Sequence, residues 1–260
     1  MNITLRSMYD SFPEHYGDSD KHINFYVDNN VYFLEDHADP IGVCLLVEPR
    51  SIIPGTYAWV EEHYDRFRYV FTFDSKLRKT LPNARPLIYG QITAEFPDTP
   101  KTKNISMVCS DKGFCEGHLQ RIKTAMALQN KIDTFGKFNG GAFAEDKDIY
   151  SEYRFNVCME NYSDGFYFTE KICNCLASRV IPIYWGCPHI NEIFNPDGIF
   201  YARDWTDVLR IVDDVLKDPE GIYNAKRDAV EDNLDRVQHY RSYAKLFLET
   251  YAELLEGVAR

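Results

Sequence analysis

An α/β fold built on parallel sheets is the class this sequence predicts, and three observations predict it. Residues 153–205 run strand, loop, helix, strand: the apolar stretch 155–159 ends in Glu160 and Asn161, a polar aromatic loop leads to Thr169, Glu170 and Lys171 at a helix start, and a second apolar stretch, 180–185, stops at Gly186. Such a unit pairs its strands in parallel and leaves a crevice where the first strand ends. Upstream, short apolar runs alternate with helix-like turns, a layer small for a complete doubly wound domain. Between the two parts, 97–103 (PDTPKTK) has the composition of a linker, so a boundary near residue 101 is expected.

Taken in order, 23–27, 31–34, 41–47 and 69–73 read as strands. Segments 57–64 and 75–80 read as helical turns, with Pro54-Gly55 and Pro82-Asn83 as punctuation. Beyond the linker, 105–109 is strand-like, and 116–130 is a helix on which Leu119, Ile122, Met126 and Leu128 recur at roughly helical spacing. A strand at 132–135, glycine turns at Gly136 and Gly140-Gly141 and a short helix at 146–150 complete the approach to the central unit. After it, 204–216 is amphipathic, and 231–255 reads as one long helix whose apolar stripe braces the two halves.

The totals exclude several classes of function. A chain of 260 residues with 45% apolar residues and 15% aromatics has ample material for a core. Its formal charge of -11 argues against a broad nucleic-acid face or an anionic membrane surface, while leaving room for a local basic pocket and a small anionic ligand. No stretch approaches the roughly 20 apolar residues of a membrane span, and the N-terminal residues lack a signal-peptide core, so a soluble, cytoplasmic protein is expected. Seven cysteines, an odd number mostly set in apolar runs, suit reduced core thiols. Cys173 and Cys175 lack zinc spacing, and Asp18-Ser19-Asp20 lies in a polar stretch far from the central unit, so no metal is expected.

The chemistry-bearing residues cluster at the crevice. Thr169 is an N-cap candidate, which puts Glu170 and Lys171 in the first helical turn with the exposed amides and the positive helix end, a setting that suits an anion such as a diphosphate. A capped surface helix with solvated Glu and Lys explains the same spacing. Asn161, next after a buried strand, can bond a phosphate or a ribose hydroxyl, or simply make a turn. Tyr167, with Tyr162 and Phe166, offers a ring face for a base or sugar, or half-buried packing. Arg121, on the helix after the 105–109 strand, can reach a diphosphate bidentately, although most helix arginines are solvated.

Together these residues resemble the signature of glycosyltransferase family 10, the α-1,3/4-fucosyltransferases. The corresponding positions are Met159-Glu160-Asn161, Tyr167-Phe168-Thr169-Glu170-Lys171, Ile181-Pro182-Ile183 with Gly186, and later Phe194-Asn195-Pro196, Ile199-Phe200 and Asp204-Trp205, with Met159 standing where the family has Phe and Phe168 where it has a small aliphatic residue. Upstream, Ser110 and Arg121 match, whereas Asp111 stands where the family has Asn, which puts any role of that amide in doubt. The resemblance covers about 103–205. It implies a GT-B fold of two Rossmann-like domains with a reduced N-terminal one: an acceptor-side domain at 1–100, and a donor-binding domain at 101–260 that includes the C-terminal bracing helix.

By the same resemblance the chain is an inverting enzyme that moves fucose from GDP-fucose to a hydroxyl of a glycan acceptor, without a tightly bound cofactor. Arg121 and Lys171 would offset charge on the departing diphosphate, Asn161 and Tyr167 would contact the nucleotide, and Glu170 the sugar or ribose. Glu48, directly after the 41–47 strand, is the candidate general base, with a solvated strand-end glutamate as the alternative. Use of another nucleotide sugar, or a glycan-binding protein without catalysis, remain alternatives.

Overall fold

Every pair of neighbouring strands in the two sheets is parallel. The computed structural model describes residues 1–6, 12–34 and 38–259. By contacts it divides into two units: Met1–Tyr89 with Asp164–Tyr167 and Ser242–Arg260, and Gly90–Ser163 with Phe168–Arg241.

In the first unit, β1 (Asn2–Arg6), β2 (His22–Val27), β3 (Gly42–Leu46), β4 (Tyr69–Thr72) and β5 (Ala84–Pro86) lie side by side in sequence order. A parallel sheet that grows in one direction carries all its right-handed crossovers on one face. Tyr26, Cys44, Leu46 and Val70 form a core there with Tyr57 and Val60 of α1 (Pro54–His63) and Leu77 of α2 (Ser75–Thr80). Phe25 and Phe71 alternate with those residues and so point to the opposite face, which needs a separate cover.

Two expectations change here. The segment 31–34 is no strand but part of a 3-10 helix, Asp28–Phe33, because Asp28 turns to φ +50° straight after Val27 and ends β2. Strands β1 and β5 were not legible, since neither carries an apolar run, and with them the first sheet has as many strands as the second.

The second unit orders β6 (Lys103–Val108), β7 (Asp133–Phe135), β8 (Tyr153–Met159), β9 (Ile181–Trp185) and β10 (Phe200–Tyr201) as β10-β9-β8-β6-β7. The chain goes to one side of β6 for β7 and to the other for β8, so the winding reverses between β6 and β8. Their carboxyl ends therefore diverge into a crevice. Both faces are covered. Ile105, Met107, Phe155, Val157, Ile181 and Ile183 pack with Ala125 and Leu128 of α3 (Glu116–Leu128) and with a later helix, Trp205–Val215. Cys158 and Tyr184 pack with α4 (Asp146–Tyr150) and with Ile172, Cys173, Cys175 and Leu176 of α5 (Glu170–Ala177). Short α6 (Ile190–Ile193), α7 (Trp205–Val215), α8 (Pro219–Ala225) and α9 (Arg227–Val237) complete the unit. All seven cysteines are buried, and none of them forms a disulfide. Among the described residues no helix is long and apolar enough to cross a membrane.

The stripe at 231–255 is not one helix. It breaks after α9 into a 3-10 turn, Gln238–Tyr240, and restarts at α10 (Tyr243–Thr250) and α11 (Ala252–Glu256). Ser242 makes the break by adopting an extended backbone and capping α10, its Oγ accepting from Lys245 N at 3.3 Å. Phe247 of α10 then lies on Phe25 (5.9 Å between ring centroids) and Phe71 (4.8 Å), which supplies the missing cover of the first sheet.

The contact division falls at Tyr89–Gly90, whereas linker composition pointed to about 101. The 97–103 stretch looks like a linker yet is tied to the second unit. Lys101 Nζ donates to the carbonyls of Tyr150 (3.2 Å), Ser151 (2.7 Å) and Ser178 (2.7 Å). Burial, helped by Arg179, pulls this ammonium down to about 8. Lys101→Met leaves three carbonyls without their donor and is expected to lower unfolding free energy by about 1–3 kcal/mol in a urea titration.

Candidate functional site

The crevice of the second unit is built on a buried carboxylate. Glu160 follows β8, continues its pairing through a bond from its N–H to Trp185 O (2.8 Å), and is 0% exposed. Its side chain has room because residue 186 is glycine: a Cβ there would lie 2.5 Å from Glu160 Cγ. Oε1 accepts from Thr169 N (2.9 Å) and Oε2 from Thr169 Oγ1 (2.8 Å). Thr169 is the N-cap of α5, so the strand end fixes where the helix begins.

Lys171, in the first turn of α5, points its ammonium into the same group. Nζ donates to Thr169 Oγ1 (3.0 Å) and Glu170 Oε1 (3.1 Å) and lies 3.4 Å from Glu160 Oε2. Burial pulls the ammonium down, but Glu170 and Glu160 more than offset that and hold it above the ordinary lysine range. Burial likewise pushes Glu170 up, and Lys171 outweighs it, so this half-exposed carboxyl ends below its ordinary value. For Glu160 burial wins over Lys171 and the net shift is upward. The surface-helix alternative for this pair fails on one count: the Lys171 side chain is only 17% exposed.

Arg121 reaches the crevice from α3. The apolar spacing suggested a face of Leu119, Ile122, Met126 and Leu128, yet Leu119 and Met126 are exposed, and the buried face is Gly117, His118, Arg121, Thr124, Ala125 and Leu128. Close approach sets this rotation. A Cβ on Gly117 would lie 2.0 Å from Asn161 O, so only glycine lets the helix start against the end of β8. Arg121 is 7% exposed, its Nη1 donating to Asn161 Oδ1 (2.8 Å) and its Nη2 to Val108 O (3.3 Å). The guanidinium thus bridges the carboxyl ends of β8 and β6 at the point where the winding reverses. Nε is buried without a hydrogen-bond partner, and among the described residues no carboxylate pairs with it. A buried cation bonded only to neutral acceptors is incompletely compensated, and it favours an incoming anion.

His118, one turn before Arg121, gave no signal in the sequence. It is 4% exposed, and its Nδ1 is buried without a hydrogen-bond partner. Burial, then Arg121, Lys112 and Lys171, push its pKa below the ordinary value, which keeps the ring neutral and marks the local positive potential. Asp111 is exposed in the turn before α3.

The crevice therefore gathers Arg121, Asn161, Glu170 and Lys171. Tyr167 and Glu48 belong to the first unit. Tyr167 is 2% exposed and lies on Phe73, 4.5 Å between ring centroids. Glu48 is half-buried just past β3, and its carbonyl accepts from Tyr57 OH at 3.0 Å. Asp18 and Asp20 are exposed, and among the described residues no group of three His, Cys, Asp or Glu forms a metal site.

Residues 99–219 match glycosyltransferase family 10 (fucosyltransferase), C-terminal part. An α-(1,3)-fucosyltransferase of Helicobacter pylori is 38% identical over 66 residues, a stretch covering 25% of this chain and 14% of that protein. A solved α1,3-fucosyltransferase with GDP superposes at a TM-score of 0.57 and 18% identity, covering 98% of this chain and 81% of the other. One with GDP-fucose gives 0.54 and 17%, covering 92% and 79%. The fold is accordingly of GT-B type, two Rossmann-like α/β units.

Two substitutions test the framework. Gly117→Ala is expected to lower the melting temperature by several degrees by pushing α3 off Asn161 O, read by differential scanning calorimetry. Glu160→Gln removes the innermost anion beside Lys171 and is expected to destabilise by about 3 kcal/mol, as when one partner of a buried pair is lost. A urea titration measures it.

Proposed function

We propose that the chain, whose residues 99–219 match glycosyltransferase family 10, is a member of that family and transfers fucose from GDP-fucose to a hydroxyl of a glycan acceptor, with inversion at the anomeric carbon. The observation that carries this reading is Arg121, a buried guanidinium with no carboxylate partner among the described residues, set across the carboxyl ends of β6 and β8. A nucleoside diphosphate supplies the missing negative charge, and its oxygens suit a guanidinium fork.

In the proposed reaction the acceptor oxygen bonds to the anomeric carbon as the bond from that carbon to the diphosphate oxygen breaks. The electron pair leaves on the diphosphate, where charge grows. Arg121 meets that charge directly, and Lys171 meets it from the first turn of α5, whose amides add their dipoles. Asn161, oriented by Arg121, is left with its amide N–H groups to offer the nucleotide. Glu170 fixes the Lys171 ammonium and accepts from a sugar or ribose hydroxyl. Tyr167 is assigned a nucleotide contact on the family resemblance alone. The acceptor hydroxyl proton goes to a carboxylate, the role we assign to Glu48.

Calorimetric titration should show GDP and GDP-fucose binding at least tenfold more tightly than UDP or UDP-sugars, and the opposite preference would sink the fucosyl reading. Arg121→Ala and Lys171→Ala are each expected to weaken GDP binding by roughly tenfold or more, the scale of a charged hydrogen bond. Glu48→Gln should leave GDP affinity unchanged while transfer falls by about 10² or more.

A further inference from the structure

The first unit also ends a strand on a buried carboxylate. Strand β2 pairs with β3 as far as Val27 against Leu45, and there Asp28 leaves the ladder with its left-handed backbone. Its side chain takes over as acceptor: Oδ1 receives Val47 N at 2.8 Å and Glu48 N at 3.1 Å. From the other side, Tyr57 OH donates to Glu48 O. Glu48 is thereby held at both its amide and its carbonyl, the amide by a residue that spacing in the sequence did not single out.

We propose that Asp28 is a positioning residue for Glu48, one carboxylate oxygen clamping the two successive amides from which the Glu48 turn hangs. The proposal rests on the assignment of Glu48 as general base. The clamp is strongest when Asp28 is ionised, because an anionic acceptor makes shorter, stronger bonds to N–H than a neutral acid does.

The surroundings make that charge conditional. Asp28 is 7% exposed, and its Oδ2 is buried with no hydrogen-bond partner. Among the described residues the titratable groups facing it are Glu48 and Cys44 on the β3 side, Tyr57 of α1 and Tyr243 of α10, none of them a cation. Burial pushes the Asp28 carboxyl up to about 7; the two amides pull against it and the Glu48 carboxylate adds to it. The clamp therefore tightens as pH rises through neutrality and slackens below it. Glu160 performs the same kind of task in the second unit but has Lys171 beside it.

The test follows the amide resonances of Val47 and Glu48 in the full chain by ¹H–¹⁵N correlation spectra between about pH 5.5 and 8.5, the range in which a raised carboxyl titrates. Both amides should move together with one midpoint near 7, and in Asp28→Asn, which keeps an oxygen and tolerates the left-handed backbone, neither should. Flat amides in the native chain, or a titration that persists in Asp28→Asn, overturn the proposal.

GDP release from GDP-fucose with a panel of free oligosaccharides gives the kinetic arm. Asp28→Gly keeps the backbone but loses the acceptor, so kcat should fall roughly tenfold with GDP affinity unchanged. Asp28→Asn should recover most of kcat while losing the inflection near pH 7. Wild-type kcat in Asp28→Gly beside an inactive Glu48→Gln removes this proposal and leaves the base assignment standing. Undiminished transfer in Glu48→Gln removes the base assignment and the proposal with it.

Discussion

The crevice of the second unit depends on one fully buried carboxylate. Burying a charge costs several kcal/mol unless it is matched, and Glu160 is matched by the amide and hydroxyl of Thr169 and by the Lys171 ammonium. Those donors come from the start of α5, and the space for the carboxylate comes from Gly186 after β9. The end of β8, the start of α5 and the end of β9 are therefore fixed by the needs of a single group. With α5 starting there, the Lys171 ammonium lies beside both Glu160 and Glu170.

Positive charge in the crevice is divided between two unlike groups. Lys171 is already compensated by Glu160 and Glu170, so it is held in place as much as it is available. Arg121 is bonded to an amide oxygen and a backbone carbonyl and keeps its full charge. That division suits a ligand whose negative charge increases as it departs, because one cation is kept rigid and the other is open to the change. His118, held neutral among these cations, adds to the polar lining without adding charge.

The two sheets solve the same covering problem in different ways. In the second unit the winding reverses, so helices fall on both faces and a crevice opens at the reversal. In the first unit the strands run in order without reversal, and the bare face is closed by α10 from the far end of the chain. Each unit nevertheless has a carboxylate just past a strand's carboxyl end that accepts from backbone amides of another segment, Glu160 from Thr169 and Asp28 from Val47 and Glu48. Glu160 has a lysine beside it, whereas among the described residues no cation faces Asp28, whose carboxyl burial pushes up.

By itself the sequence determined the local units: the strand, loop and helix around Glu160-Asn161 and Thr169-Glu170-Lys171, the strands of dense apolar runs, and the candidate cations. Those features rest on neighbours in the chain, where periodicity and capping act. It misplaced whatever depended on distant partners. The buried face of α3 was set by Gly117 against Asn161 O, and the apolar residues Leu119 and Met126 were left outside. The single helix expected at 231–255 became three, because its two ends pack with different units and Ser242 breaks the run between them. β1 and β5, short edge strands with few apolar residues, became strands only by pairing with a neighbour. The state of Arg121, solvated or buried without a counter-charge, was likewise decided only when the carboxyl ends of β6 and β8 came together around it, since burial and missing partners are properties of packing in space and leave no mark on spacing in the chain.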